Sequence, residues 1–270
     1  MTLGICTIQR NRAPWILEWC AFHYLMGFRK FYFFMHRCTD NSAQVLQHLQ
    51  HKIDIKTFVL SEDVQRPQLQ AYQYAYQHHG SEVDWMAFID GDEFLFPTRA
   101  NDLNDAIKTI DTASISALGV YWSCFGSSKF ILEPQGLVTE NYRYRAADDF
   151  VENRHIKSIV RGGLGSSVST AGNAHLFVTP AGTFDEQHRP ITNGRTDYAP
   201  SWNELCINHY VCQSLSYFLN FKQTSGNADA GANYVRPQEW WTRHDRNEVY
   251  DESLKRFYPQ LRRLVRELAQ

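Results

Sequence analysis

The chain has 270 residues, of which 43% are hydrophobic and 21% are charged, and its formal net charge at pH 7 is −2. These values are typical of a globular protein, and they show no overall electrostatic attraction to nucleic acid. No apolar stretch approaches the about 20 residues of a membrane-spanning helix, and no basic-then-apolar leader opens the sequence. We therefore expect a cytoplasmic protein without an integral membrane span or a nucleic-acid partner. The six cysteines are scattered without a CxxC pair, which argues against a disulfide framework or a zinc–thiolate site.

The first half of the chain alternates between strand-like and helix-like patterns. Apolar runs predict strands at Leu3–Ile8, 30–35, Ile53–Leu60, Trp85–Ile89 and Ile115–Trp122. Helical spacing between these runs predicts helices, and the prolines at 14 and 67 suit the first turns of two of them. Because the strands are apolar on both faces, we expect an α/β fold with a mostly parallel sheet flanked by helices.

The second half is less regular. Residues 123–200 are rich in Gly, Ser and short β-like pieces such as 156–161 and 174–178, and 205–211 predicts a last buried strand. From Asp251 onward apolar residues recur at helical spacing, and Pro259 predicts a break between two helices. We expect one domain over residues 1–230 and a C-terminal helical extension, residues 231–270, that packs on the same domain.

The segment "WMAFIDGDEFLFP" (85–97) places Asp90, Asp92 and Glu93 between two apolar runs. Ligands of open α/β sheets bind at the carboxyl ends of the strands, where Asp90 and Asp92 are predicted to lie. Residues i and i+2 of an extended stretch point the same way, so the two carboxylates would repel each other without a nearby cation. The alternative is a solvated turn, but the buried flanks favour a Mg²⁺ or Mn²⁺ site that holds a diphosphate. Glu93 stays unassigned, with a capping or supporting role as the simplest interpretation.

This segment resembles the "W-(apolar)-D-x-D-E-F-(apolar)-x-P" segment of GT-A-fold glycosyltransferases, in family 92 and in bacterial family-2-like relatives. Other segments resemble the same enzymes in the same order: "NRAPWILEWCAFHYLMGFRKFYFF" (11–34), "CTDNS" (38–42), "QLQAYQYA" (68–75), "YWSCFGSS" (121–128), "IKSIVR" (156–161) with the later His175, and "INHYVCQSLSYFLNFKQTSG" (207–226). The resemblance implies a GT-A-type, Rossmann-like fold. It also implies a glycosyltransferase, of hexosyltransferase type, that uses a nucleotide-sugar donor, with a UDP-sugar favoured.

The resemblance also implies roles for individual residues. The Mn²⁺ or Mg²⁺ ligands would be Asp90, Asp92 and His209, with Asp92 the principal one and Asp90 on the metal or on the ribose. The other donor-binding groups would be Thr7, Arg10, Asn11 and Lys222. The "FGSS" loop would lie near the donor sugar or acceptor, and Trp122 would either stack on a sugar or belong to the core.

Three positions depart from the resemblance. Arg12 stands where the relatives usually have glutamate, Lys129 where glycine often follows "FGSS", and Gly162 where proline follows "SIVR". We therefore expect the contacts of this protein with the nucleotide and with the acceptor to differ from those of the relatives.

The resemblance favours an inverting mechanism, in which a carboxylate takes the proton of the acceptor hydroxyl. Spacing leaves seven candidate bases open: Asp148, Asp149, Glu152, Asp185, Glu186, Asp197 and Glu204. The acceptor would be a glycan, polysaccharide or glycoconjugate. The basic face of the last helix is either a solvated face or a peripheral contact with anionic lipid. Two other functions stay open, a non-catalytic sugar or nucleotide-sugar binding protein and a divalent-metal phosphoester hydrolase.

Overall fold

The computed structural model describes residues 1–111, 114–226 and 234–270. Its first half alternates strands and helices in the order β1 (Leu3–Gln9), α1 (Ala13–Leu25), β2 (Phe28–His36), α2 (Ser42–Gln50), β3 (Ile55–Leu60), α3 (Pro67–His79), β4 (Trp85–Phe88), β5 (Glu93–Pro97) and α4 (Leu103–Ile110). A proline occupies the first turn of α1 and opens α3, where its fixed φ and missing N–H cost nothing.

The second half contains one long strand and many short elements. They are β6 (Ala117–Cys124), α5 (Val138–Asn141), β7 (Tyr144–Arg145), β8 (Ile156–Arg161), β9 (Ser169–Thr170), β10 (Phe177–Val178), β11 (Thr183–Phe184), β12 (Pro190–Ile191), β13 (Leu205–His209), α6 (Leu215–Tyr217), α7 (Gln238–His244), β14 (Val249–Tyr250) and α8 (Tyr258–Ala269). A π-helical turn, Phe218–Lys222, continues α6. The predicted irregular second half and helical tail are confirmed.

A ten-stranded sheet forms the centre of the fold. Eight strands follow the order β12-β11-β6-β8-β4-β1-β2-β3, and β13 joins β5 to β6 beside this path. The neighbours of β1 and β2 are parallel, whereas β8 runs antiparallel between β4 and β6. The prediction of an α/β fold with a mostly parallel sheet is confirmed.

Helices cover both faces of the sheet, which explains the continuously apolar strands. In β2, Phe31 and Phe33 belong to a core that includes residues of α1, α2 and α8, whereas Tyr32 and Phe34 pack on the α3 side. Successive side chains of a strand point to opposite faces, so one apolar run supplies both cores.

One strand was not predicted, and two local predictions differ from the structure. The unpredicted strand is β5, the run after the acidic residues, which pairs antiparallel with β13. Pro259 lies in the first turn of α8 after a 3₁₀ turn at Lys255–Phe257, so it begins one helix and does not break two apart. Of the predicted 174–178 strand, only Phe177–Val178 is extended.

The carboxyl-terminal segment packs against the rest of the chain, with α8 lying on α1. The predicted boundary between residues 230 and 231 lies outside the described residues. Among the helices of the described ranges, none combines the length and the hydrophobicity needed to cross a membrane.

Candidate functional site

A cleft of about 870 Å³ lies at the carboxyl ends of β1, β2 and β4. Its described lining carries seven Lys and Arg side chains but three acidic ones. The cations are Arg10, Arg12, Arg37, Arg66, Lys157, Lys222 and Arg236, and the acids are Asp90, Asp92 and Glu152. With its histidines neutral, the wall therefore has an excess of positive charge that suits an anionic ligand such as a diphosphate.

The Asp90 carboxylate is held by the protein itself. Lys157 Nζ lies 2.8 Å from Oδ2, and Oδ1 accepts hydrogen bonds from Gln68 Nε2 at 2.5 Å and from Tyr72 OH at 3.2 Å. Burial opposes ionisation of Asp90, but Lys157 outweighs it and keeps the pKa of Asp90 below its usual value. Asp90 is therefore an ionised group anchored by α3 and β8.

The Asp92 carboxylate points to a different set of partners. Lys222 Nζ lies 2.5 Å from Oδ2, and His209 Nε2 lies 3.6 Å from Oδ1. Burial opposes its ionisation, but Lys222, His209 and Arg12 together hold the pKa of Asp92 well below its usual range. This carboxylate remains charged throughout the physiological pH range.

Glu93 supports the turn that presents the two aspartates. Its side chain is fully buried, and Oε2 accepts the backbone N–H of Asp90 at 2.9 Å. Trp19 Nε1 donates to the backbone carbonyls of both Asp90 and Glu93. Burial raises the pKa of Glu93 well above its usual value, despite Lys157 Nζ at 3.8 Å from Oε1. The structure thus gives Glu93 a supporting position.

The three residues predicted as metal ligands do not converge on one point. Within the described ranges, no three His, Cys, Asp or Glu side chains form a group that could hold a metal ion. Asp92 and His209 face each other, whereas Asp90 is turned to Lys157. Burial lowers the pKa of His209 to about 3, which leaves the imidazole neutral, the form that binds metals.

The Asp92–His209 pair nevertheless fits a divalent ion that is shared with a diphosphate. The two facing atoms are 3.6 Å apart, too far for a hydrogen bond, and His209 Nδ1 is buried without a hydrogen-bond partner. Mg²⁺ is commonly bound by one or two protein ligands together with substrate phosphates and water. Two facing protein ligands in a cationic cleft match that requirement.

The predicted donor-binding residues fall into two groups. Arg10 and Lys222 line the cleft, whereas the described lining includes neither Thr7 nor Asn11. Asn11 donates to Thr39 Oγ1 at 3.0 Å and accepts the Thr39 N–H at 2.7 Å, so it ties the end of β1 to the "CTDNS" loop. Thr7 is buried in β1. Both residues lie outside the described lining, and their roles in donor binding stay predictions.

Of the seven candidate bases, Glu152 lines the cleft. The other six lie outside its described lining: Asp148, Asp149, Asp185, Glu186, Asp197 and Glu204. Several of them serve the fold, since Asp185 pairs with Arg189 and Glu186 accepts the backbone N–H groups of residues 203–205. Glu152 is therefore the candidate carboxylate that the described lining includes, and the identity of the base stays a prediction.

The sequence profile of glycosyltransferase family 92 matches residues 1–164, more than half of the chain. The chain belongs to glycosyltransferase family 92. A family 92 protein of Oryza sativa subsp. japonica is 24% identical over 280 aligned residues, which cover 95% of this chain and 44% of that protein. A family 92 protein of Ricinus communis is 29% identical over 163 residues, covering 58% of this chain and 28% of that protein. The chain thus spans less than half the length of these relatives.

Solved structures give a weaker likeness. S. aureus TarS 1-349 in complex with UDP-GlcNAc is 15% identical, with a TM-score of 0.42, over 80% of this chain and 61% of that chain. The Mycobacterium tuberculosis glucosyl-3-phosphoglycerate synthase with Mn²⁺ and UDP-glucose is 11% identical, with a TM-score of 0.30, over 45% of this chain and 44% of that chain.

The departures from the family 92 pattern have structural explanations. Arg12 lies over the Trp15 ring at 4.4 Å and donates to Tyr217 OH and to the Gly91 carbonyl. It therefore stabilises the acidic turn, residues 90–93. Gly162 donates its N–H to the Asp84 carbonyl. A Cβ at Gly162 would lie 1.8 Å from a backbone oxygen, and proline would also lose the N–H bond.

The described lining of the cleft does not include the "FGSS" loop, and its place near the donor sugar or acceptor stays a prediction. Asp245 and Asn247 accept the backbone N–H groups of Ser127 and Ser128 at 2.6 and 2.8 Å. A Cβ at Gly126 would lie 2.2 Å from the Arg246 carbonyl. The loop is close-packed against the carboxyl-terminal segment, which is why it needs small residues, and Lys129 is exposed beside it.

Sequence reasoning assigned no role to several residues that the structure brings to the site. Gln68, Tyr72 and Lys157 hold Asp90, and all three lie inside segments that resemble the family. His155 and His175 line the cleft beside Trp122, with ring centroids 4.9 and 5.3 Å from that of the indole. For Gln68, Tyr72 and Lys157, membership of a matching segment was the available signal, but it did not say which partner each side chain meets.

Proposed function

We propose that this chain is a metal-dependent, inverting glycosyltransferase. It would move a hexose from a UDP-sugar to a hydroxyl group of a glycan, polysaccharide or glycoconjugate. Family 92 membership supports the reaction class. The observation that carries the proposal is the arrangement of Asp92 between Lys222 and His209 in a cationic cleft.

Each of these residues has a distinct task in the proposed reaction. Asp92 and His209 would hold Mn²⁺ or Mg²⁺, which, when bound, neutralises charge on the leaving diphosphate. Lys222 adds a positive charge at the same place, and Arg10 extends the cationic wall towards the end of β1. Positive groups fixed where negative charge develops lower the barrier most effectively in a partly enclosed cleft.

A binding experiment tests the site without knowledge of the acceptor. We expect UDP to stabilise the full chain against heat in the presence of Mn²⁺, and much less with EDTA, because a ligand that binds only the folded state raises its stability. Asp92→Asn and His209→Gln should each lose the Mn²⁺-dependent part. Asp148→Asn is the matched control, since Asp148 lies outside the described lining and is 72% exposed. Equal Mn²⁺-dependent UDP binding in Asp92→Asn and wild type would refute the site.

Turnover distinguishes the proposed enzyme from the two alternatives. We expect Mn²⁺-dependent release of UDP from at least one of UDP-glucose, UDP-galactose and UDP-N-acetylglucosamine, with water as a slow acceptor. Mn²⁺-dependent UDP binding without turnover of any donor, even with added oligosaccharides, would favour a binding protein. Hydrolysis of p-nitrophenyl phosphate would favour a phosphoester hydrolase.

The predicted cytoplasmic location and lipid contact stay predictions. Most basic side chains of the last helical segment already have partners in the protein. Lys255 pairs with Glu252, Arg262 with Glu140 and Arg263 with Glu267, and Arg256 donates to three backbone carbonyls. A lipid surface would have to compete with these contacts.

A further inference from the structure

Three histidines of the cleft wall have a defined tautomer. Their Nδ1 atoms contact backbone carbonyls: His155 with Glu152 O at 3.1 Å, His175 with Ile156 O at 2.9 Å and His244 with Trp240 O at 2.6 Å. A carbonyl oxygen only accepts, so each Nδ1 carries the proton of the neutral ring and each Nε2 keeps a lone pair. All three residues line the cleft, and each therefore brings to it a ring nitrogen able to accept a proton from a hydroxyl group.

His155 differs from the other two in having a carboxylate beside its protonated nitrogen. Glu152 Oε2 lies 3.3 Å from His155 Nδ1, and Oε1 of the same carboxylate is paired with Arg243. A carboxylate at this position fixes the ring and stabilises the imidazolium that forms when Nε2 accepts a proton. Within the described ranges, neither His175 nor His244 forms an ion pair with an acidic side chain.

The charges around the rings distinguish them further. Burial lowers the pKa of His155, with Arg195 and Lys157 acting in the same direction, while the Glu152 carbonyl and carboxylate oppose the shift. Burial and Lys157 together lower the pKa of His175 to about 3, which makes it a weak base. His155 is thus neutral at pH 7 and retains a partner that favours its protonated form.

His155 also lies close to the proposed donor site. The Trp122 ring stacks on His155 with centroids 4.9 Å apart and an interplanar angle of 26°, and it contacts His209 with centroids 4.2 Å apart. His155 and His209 therefore contact the same indole ring, and His209 faces Asp92. Asp92, His155 and His209 line the same cleft, so a base at His155 would act on a hydroxyl group bound beside the proposed diphosphate site.

We propose that His155, oriented by Glu152, is the general base of this chain, an assignment that rests on the proposed function. The acceptor hydroxyl transfers its proton to Nε2 as its oxygen forms a bond to the anomeric carbon. The bond from that carbon to the diphosphate oxygen breaks, and its electron pair leaves with the nucleoside diphosphate. The imidazolium then releases the proton to solvent. Glu152, the carboxylate that remained among the predicted bases, is a positioning residue in this scheme.

The test uses the full chain with Mn²⁺ and whichever of UDP-glucose, UDP-galactose and UDP-N-acetylglucosamine it hydrolyses fastest. We expect His155→Gln to lower kcat by about 100-fold or more, the usual contribution of a general base, with the Kd for UDP unchanged. Glu152→Gln should lower kcat by about 10-fold, again without weakening UDP binding. His188→Gln is the matched control, because His188 is exposed and lies outside the described lining.

Two further measurements distinguish a His155 that acts as the general base from a His155 that only supports the structure. Imidazole should restore turnover to His155→Gly but not to Asp92→Asn, and the acidic limb of the wild-type kcat–pH profile should disappear in His155→Gln. Nitrogen-15 spectra of the imidazoles should show His155 protonated at Nδ1 in the neutral protein.

The outcomes are distinguishable. Turnover in His155→Gln within threefold of wild type, a matching loss of UDP binding, or a neutral His155 protonated at Nε2 would each overturn the assignment alone. Wild-type protein that hydrolyses none of the three donors would contradict the proposed function, and the base with it.

Discussion

Replacing Lys157 by methionine should destabilise the protein substantially, because Lys157 is the buried cation of the acidic turn. The residue is 1% exposed, and its Nζ lies 2.8 Å from Asp90 Oδ2 and 3.8 Å from Glu93 Oε1. Methionine fills similar space without a charge. The substitution therefore leaves the Asp90 carboxylate without its cation while changing the packing little.

The size of the effect follows from what remains around Asp90. Removing one partner of a buried ion pair costs about 3–5 kcal/mol. Gln68 and Tyr72 still donate to Asp90, and its side chain is 33% exposed, so we expect a loss of about 3 kcal/mol, at the lower end. For a chain of this size such a loss lowers Tm by roughly 6–12 °C.

Urea unfolding followed by circular dichroism measures this loss, and a double-mutant cycle identifies its cause. Asp90→Asn combined with Lys157→Met removes both charges, so the double variant should be more stable than the sum of the two single losses predicts, by about 1–3 kcal/mol. Additive losses, or a loss below about 1 kcal/mol for Lys157→Met alone, would refute the reasoning.

Further predictions concern the stability effects of two buried titratable residues and of two neighbouring glycines. Burial raises the pKa of Glu93 above its value of 4.5 in the unfolded chain, so the native state holds a proton that the unfolded state releases as pH rises. Glu93→Gln should therefore gain stability relative to wild type between pH 5 and 8, by up to about 1.4 kcal/mol per pH unit, and parallel stability curves from urea unfolding would argue against this. Burial lowers the pKa of His23 to about 3 from 6.5, so stability is lost as pH falls from 6.5 towards 3. His23→Gln should make acid unfolding less steep, and an unchanged slope would contradict it. Gly162→Ala should cost about 3 kcal/mol in urea unfolding, because its Cβ would lie 1.8 Å from the Val83 carbonyl. Gly163→Ala, with open space around a Cβ but φ of +75°, should cost about 1–2 kcal/mol, and equal costs for the two would contradict the steric argument.

The sequence determined the framework because its signals are local. The continuous apolar run of β2 already predicted two buried faces, and prolines marked the first turns of α1 and α3. These patterns depend on backbone geometry within a few residues, which is the same wherever the segment lies in the fold. Strand β5 was missed because its extended conformation depends on pairing with β13, more than one hundred residues later.

The acidic turn could be found from the sequence because burying charged residues between apolar runs costs free energy unless they have a partner. The identity of the partners was a matter of tertiary structure. Lys157 is 67 residues from Asp90 and Lys222 is 130 residues from Asp92, and no local pattern links such positions. The same reason explains why Asp90 and Asp92 face different partners, and why Glu152 among seven candidate carboxylates reaches the cleft. Local periodicity sets which residues are buried, but only the packing of distant segments decides which charged groups meet.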